Sequence, residues 1–406
     1  MSVAALLKQR SDYTHKYNIT SGRHGWLRLT PAYSVKVVEE ILALYPDATR
    51  VLDPFCGTGT TALCSINRKI SAATTDINPF LIWFTVAKTR NYSKTSIEVT
   101  RNACSQILKG LGHEFPVAPP PPIHKIERWW SETSLKFLCE IKGAINTIPL
   151  NDEDCRDLLN IAFCRTLIKL SNAAFNHQSM SFKDGNEELD LEIDRDAIFT
   201  CDLEHVLASA GELISGTANI HLHDARKLDP QTLGTFDLVI TSPPYANRMS
   251  YIRELRPYMY WLGYLKEARE AGELDWQAIG GTWGIATSRL NDWTACKDYT
   301  NEHLSDVVLT ISQAENKHAE TLSRYVHKYC EDIYAHLVSL TTTLNKGAKV
   351  HYIIGNSTFY GNLVKVEEIY ADMMREVGFV DINIRAIRKR NSKKELVEFD
   401  VSATWQ

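Results

Sequence analysis

Two periods of hydrophobic and polar positions run along this chain, and the switches between them divide it. Short apolar runs bounded by turn residues predict buried strands at Arg50–Asp53, Ala72–Thr75, Ile220–His223, Leu238–Ile240 and Lys349–Ile354. A last pair, Val380–Ile387 and Leu396–Thr404, predicts a terminal hairpin. Helical spacing starts after Ser34, a residue suited to an N-cap, with Val37, Val38, Ile41 and Leu42 on one face. It returns over Ile97–Leu111, around Trp130–Ile145, and in Leu158, Leu159, Ala162, Phe163, Leu167 and Leu170. Val366–Val377 predicts a helix stopped by Gly378. Strands near both ends with helices between them make this an α/β chain.

The pattern also sets the expected domains. Residues 1–92, 216–264 and 346–406 form one strand-bearing domain, interrupted by an all-helical insertion at 93–215. That insertion is far longer than the ~2 to 6 residues of an ordinary βα connection, and a Pro-rich break, Pro116–Pro122, reads as a rigid connector within it. A second insertion, 265–345, is expected to be loop-rich to about residue 300 and helical from His303 to Leu344.

Composition narrows the class. With 406 residues, 44% hydrophobic and 23% charged, the chain can bury a large core as one domain with insertions or as two domains. No apolar run reaches the ~18 residues of a membrane span, and Met1–Arg10 lacks a signal-peptide pattern, so a cytoplasmic protein without membrane contact is expected. Nine cysteines without Cys-x-x-Cys or His-x-x-x-His spacing predict neither a metal site nor a disulfide framework. The formal charge of −4 does not announce nucleic-acid binding, but a local basic face would suffice for it.

Candidate chemistry gathers at strand ends. Phe236-Asp-Leu-Val-Ile-Thr-Ser-Pro-Pro-Tyr245 is a buried strand broken by two prolines, which forbid both helix and ladder. The corner offers the Ser242 hydroxyl, a Pro243 carbonyl that no following amide can claim because Pro244 has no N–H, and the Tyr245 ring. Two acceptors beside an aromatic platform suit a planar ring carrying an exocyclic NH2. Upstream, Asp53-Pro54-Phe55-Cys56-Gly57-Thr58-Gly59-Thr60 follows a strand and precedes a helix, where glycines let backbone approach a ligand. The chain lacks the Gly-Lys-Ser/Thr of a phosphate loop. Asp76, followed by Ile77 and roughly 20 residues beyond the glycines, stands where such folds bind ribose hydroxyls.

Together these motifs resemble those of the S-adenosylmethionine-dependent DNA amino-methyltransferases, and with Ser242 leading the corner resembles the N4-cytosine type. The resemblance implies a class I (Rossmann-like) methyltransferase sheet, mostly parallel with a terminal antiparallel strand and large helical insertions. It implies S-adenosyl-L-methionine as cofactor, held by residues 53–60, Asp76 and Ile77, with Pro31-Ala32-Tyr33 at its methionine end and Asp224-Ala225 at its adenine. Ser242, Pro243, Pro244 and Tyr245 would then be catalytic toward a cytosine flipped out of double-stranded DNA, with no metal and with a cognate restriction endonuclease encoded nearby as an implied partner. Glycine loop before acceptor corner excludes the permuted motif order. Relatives often carry Asp where this chain has Ser250, so a role for that carboxylate does not transfer. C5-cytosine chemistry is not expected, since no Pro-Cys dipeptide occurs. N6-adenine methylation, usually with Asp leading, stays open, as do RNA guanine N2 or protein glutamine methylation and a noncatalytic binding module.

Contacts to nucleic acid have several candidates. Arg248, Arg253 and Arg256 flank the corner and interleave with Tyr258, Tyr260 and Trp261, which fits a phosphate-lined cleft or a core. Arg385, Arg388, Lys389, Arg390, Lys393 and Lys394 form a basic run without an intervening acid, a solvated loop or a phosphate-contacting surface. The amide-rich stretch Ser171–Ser179 with Lys183, inside the insertion that is the candidate for target recognition, could read adenine edges or be a helix end and solvated loop. Gly280-Gly281-Thr282-Trp283-Gly284 is expected to be a flexible loop against DNA.

Overall fold

A computed structural model of the chain describes residues 7–29, 32–150, 152–174, 181–182, 192–282, 284–296, 299, 301–390 and 395–406. Seven strands form its main sheet: β1 Arg50–Asp53, β2 Ser71–Asp76, β3 Ala218–Leu222, β4 Phe236–Thr241, β5 Leu344–Gly355, β6 Phe379–Lys389 and β7 Val397–Trp405. Their order across the sheet is β6-β7-β5-β4-β1-β2-β3. All neighbouring pairs from β3 to β5 are parallel, and β7 runs antiparallel between β5 and β6. Strand order reverses between β1 and β4, leaving a crevice at their carboxyl ends where open α/β sheets bind ligands. The register pairs Val51 with Leu238 and Leu52 with Val239, which brings the two strand ends side by side.

Thirteen longer helices accompany the sheet among the described residues. α1 Val35–Leu44, α2 Thr60–Asn67 and α3 Pro79–Thr89 belong to the first strand-bearing piece. α4 Lys94–Gly110, α5 Glu132–Thr147, α6 Glu153–Lys169 and α7 Arg195–Ala210 fill the stretch between β2 and β3. α8 Tyr251–Trp261, α9 Ala268–Gln277, α10 Ile285–Asp292, α11 Glu302–Ser312 and α12 Ala319–Thr341 lie between β4 and β5, and α13 Val366–Val377 precedes β6.

Because β4 is covered on both faces, its apolar residues serve two cores in alternation. Leu238 and Ile240 pack with Val38 and Ile41 of α1, whereas Val239 packs with Val326, Tyr329 and Leu337 of α12. A third core joins the helical insertion to the rest of the molecule. Phe80 of α3 stacks on Tyr258 of α8 with ring centroids 5.1 Å apart, and Trp261 meets Trp130 at 5.7 Å and Phe163 of α6 at 5.4 Å. Tyr258, Tyr260 and Trp261 are therefore buried core residues. α6 buries apolar residues around most of its circumference, as the central helix of such a bundle must. The buried Arg23 ties the layers further, donating to the carbonyls of Lys88 (3.1 Å), Ser209 (3.1 Å), Ala210 (2.6 Å) and Glu212 (2.7 Å). Its fork of donors satisfies carbonyls that the ends of α3 and α7 leave without intrahelical partners.

Differences from the sequence pattern have local causes. The stretch 265–300 is not mainly loop: it holds α9, opened by a Glu267/Glu270 capping box, and α10. The helical stretch expected from His303 to Leu344 consists of α11 and α12 and ends at Thr341, with Leu344 already in β5. β5 starts at Leu344, five residues ahead of the apolar run, because Leu344 already pairs with Phe236 of β4, with a register shift before Leu238 meets Lys349. β6 continues to Lys389, so Arg385, Arg388 and Lys389 stand on a strand, where pairing with β7 overrides the preference of a basic run for a solvated loop. The Pro-rich connector is laid directly on α5: a Cβ at Gly143 would stand 1.8 Å from the Pro116 carbonyl oxygen. Of the amide-rich stretch, residues 175–180 and Lys183 lie outside the described residues. No described helix is long and apolar enough to cross a membrane, and among the described residues no group of His, Cys, Asp and Glu could hold a metal ion.

Candidate active site

A cavity of about 390 Å³ opens at the carboxyl ends of β1, β2 and β4. The sequence motifs meet there. Pro54, Phe55 and Gly57 come from the glycine loop, Asp76 and Ile77 from the end of β2, and Asp224 and Ala225 from beyond β3. Ser242, Pro243, Pro244 and Tyr245 complete the wall, and Ala32 and Tyr33 contribute from the segment ahead of α1. Pro31 lies outside the described residues.

The glycine loop is shaped by close approach. Gly57 and Gly59 have φ of +50° and +68°, and a Cβ at Gly59 would come within 2.5 Å of the Thr85 methyl on α3. Gly57 N–H donates to Asp76 Oδ2 at 3.0 Å and Asn78 N–H to Oδ1 at 2.9 Å, which fixes the carboxylate at the end of β2. Asp53, Cys56, Thr58, Gly59 and Thr60 do not line the cavity but support its wall. The Asp53 carboxylate accepts from Thr241 Oγ1 (2.6 Å) and Phe55 N–H (3.1 Å), joining the ends of β1 and β4. Cys56 Sγ meets Thr85 Oγ1 at 3.1 Å, and the hydroxyls of Thr58 and Thr60 meet at 3.1 Å. Burial without a cationic partner pushes Asp53 up to about 7 and Asp76 up to about 6.

Hydrogen bonds from several elements hold the acceptor corner. Ser242 Oγ donates to the Ile353 carbonyl at 2.9 Å. Tyr245 N–H donates to Tyr251 Oη at 3.3 Å, Tyr329 Oη donates to the Pro244 carbonyl at 2.9 Å, and Arg248 N–H donates to Tyr325 Oη at 3.2 Å. Among the described residues no donor reaches the Pro243 carbonyl. With its proton donated to the Ile353 carbonyl, the Ser242 oxygen retains lone pairs that can accept. Ser250 caps α8, accepting from Arg253 N–H at 3.0 Å, and donates to the buried Asp275 carboxylate.

The basic residues divide. Arg248 is exposed at the corner, with φ +62°, and Arg253 is half-buried on α8. The Arg256 guanidinium lies 5.0 Å from the Trp129 ring centroid. Arg385 pairs with Asp400 at 3.1 Å, and Lys389 is half-buried with its N–H on the Lys8 carbonyl. Arg388 and Arg390 line the cavity, while Lys393 and Lys394 lie outside the described residues. Asp224 is engaged by Arg226, whose Nη2 reaches Oδ2 at 2.8 Å and whose other arm reaches Asp332 of α12 at 2.7 Å; the pairing holds the Asp224 carboxyl below its usual range against the cost of burial.

Several wall residues carry no sequence signal. Tyr13, Thr14, His15 and Lys16 form one side of the cavity. They are placed by Asn18, whose side chain donates to the Tyr33 carbonyl and accepts from Val35 N–H, both at 2.9 Å, and by the Lys36–Asp12 pair at 2.7 Å. Gly280 and Gly281, expected in a flexible loop, are close-packed instead: a Cβ on Gly281 would stand 1.7 Å from the Asp275 carbonyl oxygen. Trp283 lies outside the described residues.

A sheet in this order, with one antiparallel strand and a ligand-sized cavity at the strand-order reversal, defines the class: the chain has a Rossmann-like methyltransferase fold. Its relatives narrow that class. The chain is similar to Type II methyltransferase M.MvaI of Kocuria varians, 23% identical over 400 residues that cover 92% of this chain and 82% of that protein. It is also similar to Type II methyltransferase M.BsoBI of Geobacillus stearothermophilus, 20% identical over 441 residues covering 96% and 85%, and to M.AvaI of Nostoc sp., 21% identical over 412 residues covering 91% and 82%. No family model matches the chain.

Proposed function

We propose that this chain is a DNA methyltransferase of a restriction-modification system, acting on the exocyclic N4 amine of a cytosine flipped out of the duplex. The similarity to Type II methyltransferases along nearly the whole chain supports the class. The observation that carries the chemistry is the acceptor corner, where Ser242 Oγ donates to the Ile353 carbonyl and no donor among the described residues reaches the Pro243 carbonyl, beside the Tyr245 ring.

The wall residues fit S-adenosylmethionine. Asp76 has backbone donors on each oxygen and keeps acceptor capacity for ribose hydroxyls, Gly57 lets backbone lie close, and the Asp53 carboxylate behind the wall adds its charge to that of Asp76 at the cavity. When bound, this group supplies an electrophilic methyl on a sulfonium. The protein's own part is orientation and polarisation. Tyr245 takes the base face, while Ser242 Oγ and the Pro243 carbonyl accept the two amino hydrogens and draw the nitrogen out of conjugation with the ring. A serine hydroxyl is no strong base at neutral pH, so hydrogen bonding rather than proton abstraction activates the amine. Phosphate contacts outside the cavity fall to Arg248, which is exposed beside the corner, and to Lys389 at the end of β6.

The test is nucleoside mass spectrometry on DNA from cells expressing the intact chain or the Ser242→Ala, Tyr245→Ala double variant. N4-methylcytosine made by the intact chain alone is the expected result. N6-methyladenine would keep the architecture and replace the base, and neither mark would remove the reading.

Proton linkage gives a second expectation. Asp53 and Asp76 titrate at about 7 and about 6, above the unfolded value of about 3.9. Their raised values help the free fold fully below that unfolded value, and the help is lost as pH rises through 6 and 7. The α-ammonium of S-adenosylhomocysteine, still protonated at pH 8, favours ionised carboxylates, so its affinity grows over the same range. The rise in melting temperature caused by saturating S-adenosylhomocysteine should therefore be larger at pH 8 than at pH 5.5. An increment independent of pH would remove these two carboxylates from ligand binding.

A further inference from the structure

Beside the acceptor corner, on the wall of the same cavity, stand Glu398, Arg388 and Arg390, whose contacts with Tyr245 no motif marks. Tyr245 Oη donates to Glu398 Oε1 at 2.9 Å. The same oxygen accepts from Arg388 Nη2 at 2.9 Å, and Oε2 accepts from Arg388 Nε at 2.7 Å. Glu398 is only 4% exposed and sits directly opposite Arg388 in the β6–β7 register. From the other side, the Arg390 guanidinium carbon lies 4.8 Å from the Tyr245 ring centroid, with Nη1 donating to the Asn356 carbonyl at 2.9 Å. Gly355, at the end of β5, makes room: a Cβ there would stand 2.3 Å from Arg390 Nη1 and 3.0 Å from Tyr245 Cδ2.

We propose that Glu398 and Arg390 are positioning residues that fix the Tyr245 ring before the base arrives, Glu398 through the phenolic oxygen and Arg390 through the ring face. The inference rests on the reading of Tyr245 as the stacking platform. Tyrosine has two side-chain torsions, and a hydrogen bond at its far end removes the freedom of both. The platform and the two acceptors then hold one mutual geometry, and a fixed near-attack arrangement is where most of the rate gain in such a reaction resides. Arg388 neutralises Glu398, so the carboxylate adds no net repulsion toward a polyanion entering the cavity. A cation over the ring adds attraction that a neutral side chain of equal volume would not. Burial and the Glu398 charge keep the phenol protonated, so it remains the donor in this pair.

A purely structural Glu398, serving only to pair Arg388, would act independently of the Tyr245 hydroxyl. The test is a double-mutant cycle on the full chain with duplex DNA. Tyr245→Phe and Glu398→Gln should each lower kcat about tenfold with little change in KM for the methyl donor, and the double variant should also fall about tenfold. Separate effects that multiply to about a hundredfold would overturn the proposal. An activity-free readout runs alongside it, the fluorine NMR line of 3-fluorotyrosine placed at position 245, with no DNA or cofactor present. Glu398→Gln and Arg390→Met should each shift or broaden that line, and a spectrum unchanged by both would also overturn the proposal. If Glu398→Gln does not fold, the Arg390→Met spectrum decides. An intact chain that modifies no DNA would defeat the functional reading, and the fluorine spectrum would still judge the clamp.

Discussion

Tyr245→Ala lowers turnover about 100-fold while leaving the affinity for S-adenosylhomocysteine within about twofold. The ring lines the cavity at the acceptor corner, and it makes none of the hydrogen bonds that shape the glycine loop. Its loss removes the stacking platform and frees the base to tilt away from Ser242 Oγ and the Pro243 carbonyl. The variant should fold, because Glu398 keeps both bonds to Arg388, and Arg390 keeps the Asn356 carbonyl. A half-buried ring also costs less to truncate than the roughly 3 to 5 kcal/mol of a fully buried aromatic. Single-turnover kinetics and calorimetry would measure the two quantities separately. Comparable loss of both would mean that Tyr245 holds the cofactor wall rather than the base.

Asp76→Ala has the complementary signature. Affinity for S-adenosylhomocysteine should fall about 10- to 100-fold, the range expected for losing a charged acceptor of hydrogen bonds, with kcat at saturating cofactor changed by only a few-fold. Two effects add here. The substitution deletes the ribose acceptor, and it releases Gly57 N–H, which the carboxylate holds at 3.0 Å. Asp76→Asn separates them by keeping an acceptor for Gly57 while removing the charge. Titration calorimetry on both variants is the measurement, and unchanged affinity in Asp76→Ala would send the ribose contact elsewhere on the cavity wall.

The strand-end motifs were legible because the physics that produces them is local. Two prolines end β4 whatever surrounds them, and glycines at 57 and 59 are needed where the backbone has positive φ. The N-cap at Ser34, the helix Val366–Val377 and its stop at Gly378, with φ +112°, follow equally from neighbours in sequence. The strand Arg50–Asp53 appears with the bounds its apolar run implied. Resemblance to known motifs then linked the glycine loop and the acceptor corner, almost 190 residues apart, at one cavity.

What the chain did not disclose depends on partners distant in sequence. Composition presented Arg388 and Arg390 as part of an unopposed basic run, since Glu398 and Tyr245 only meet them once β7 has slipped between β5 and β6. The sequence names the helical insertion as a candidate for target recognition without showing how it is attached; Trp130, Phe163 and Trp261 join it to the core beside the site. Tyr13–Lys16 became a cavity wall through contacts with α1 that no local pattern encodes. The sequence by itself determined the strand ends, the turns and the chemical groups offered there, because backbone sterics and capping act over a few residues. Only the tertiary structure decided which charges are neutralised, which aromatics are core and how Tyr245 is held. Ion pairing and packing act across space, and the Tyr245–Glu398 bond spans 153 residues of chain.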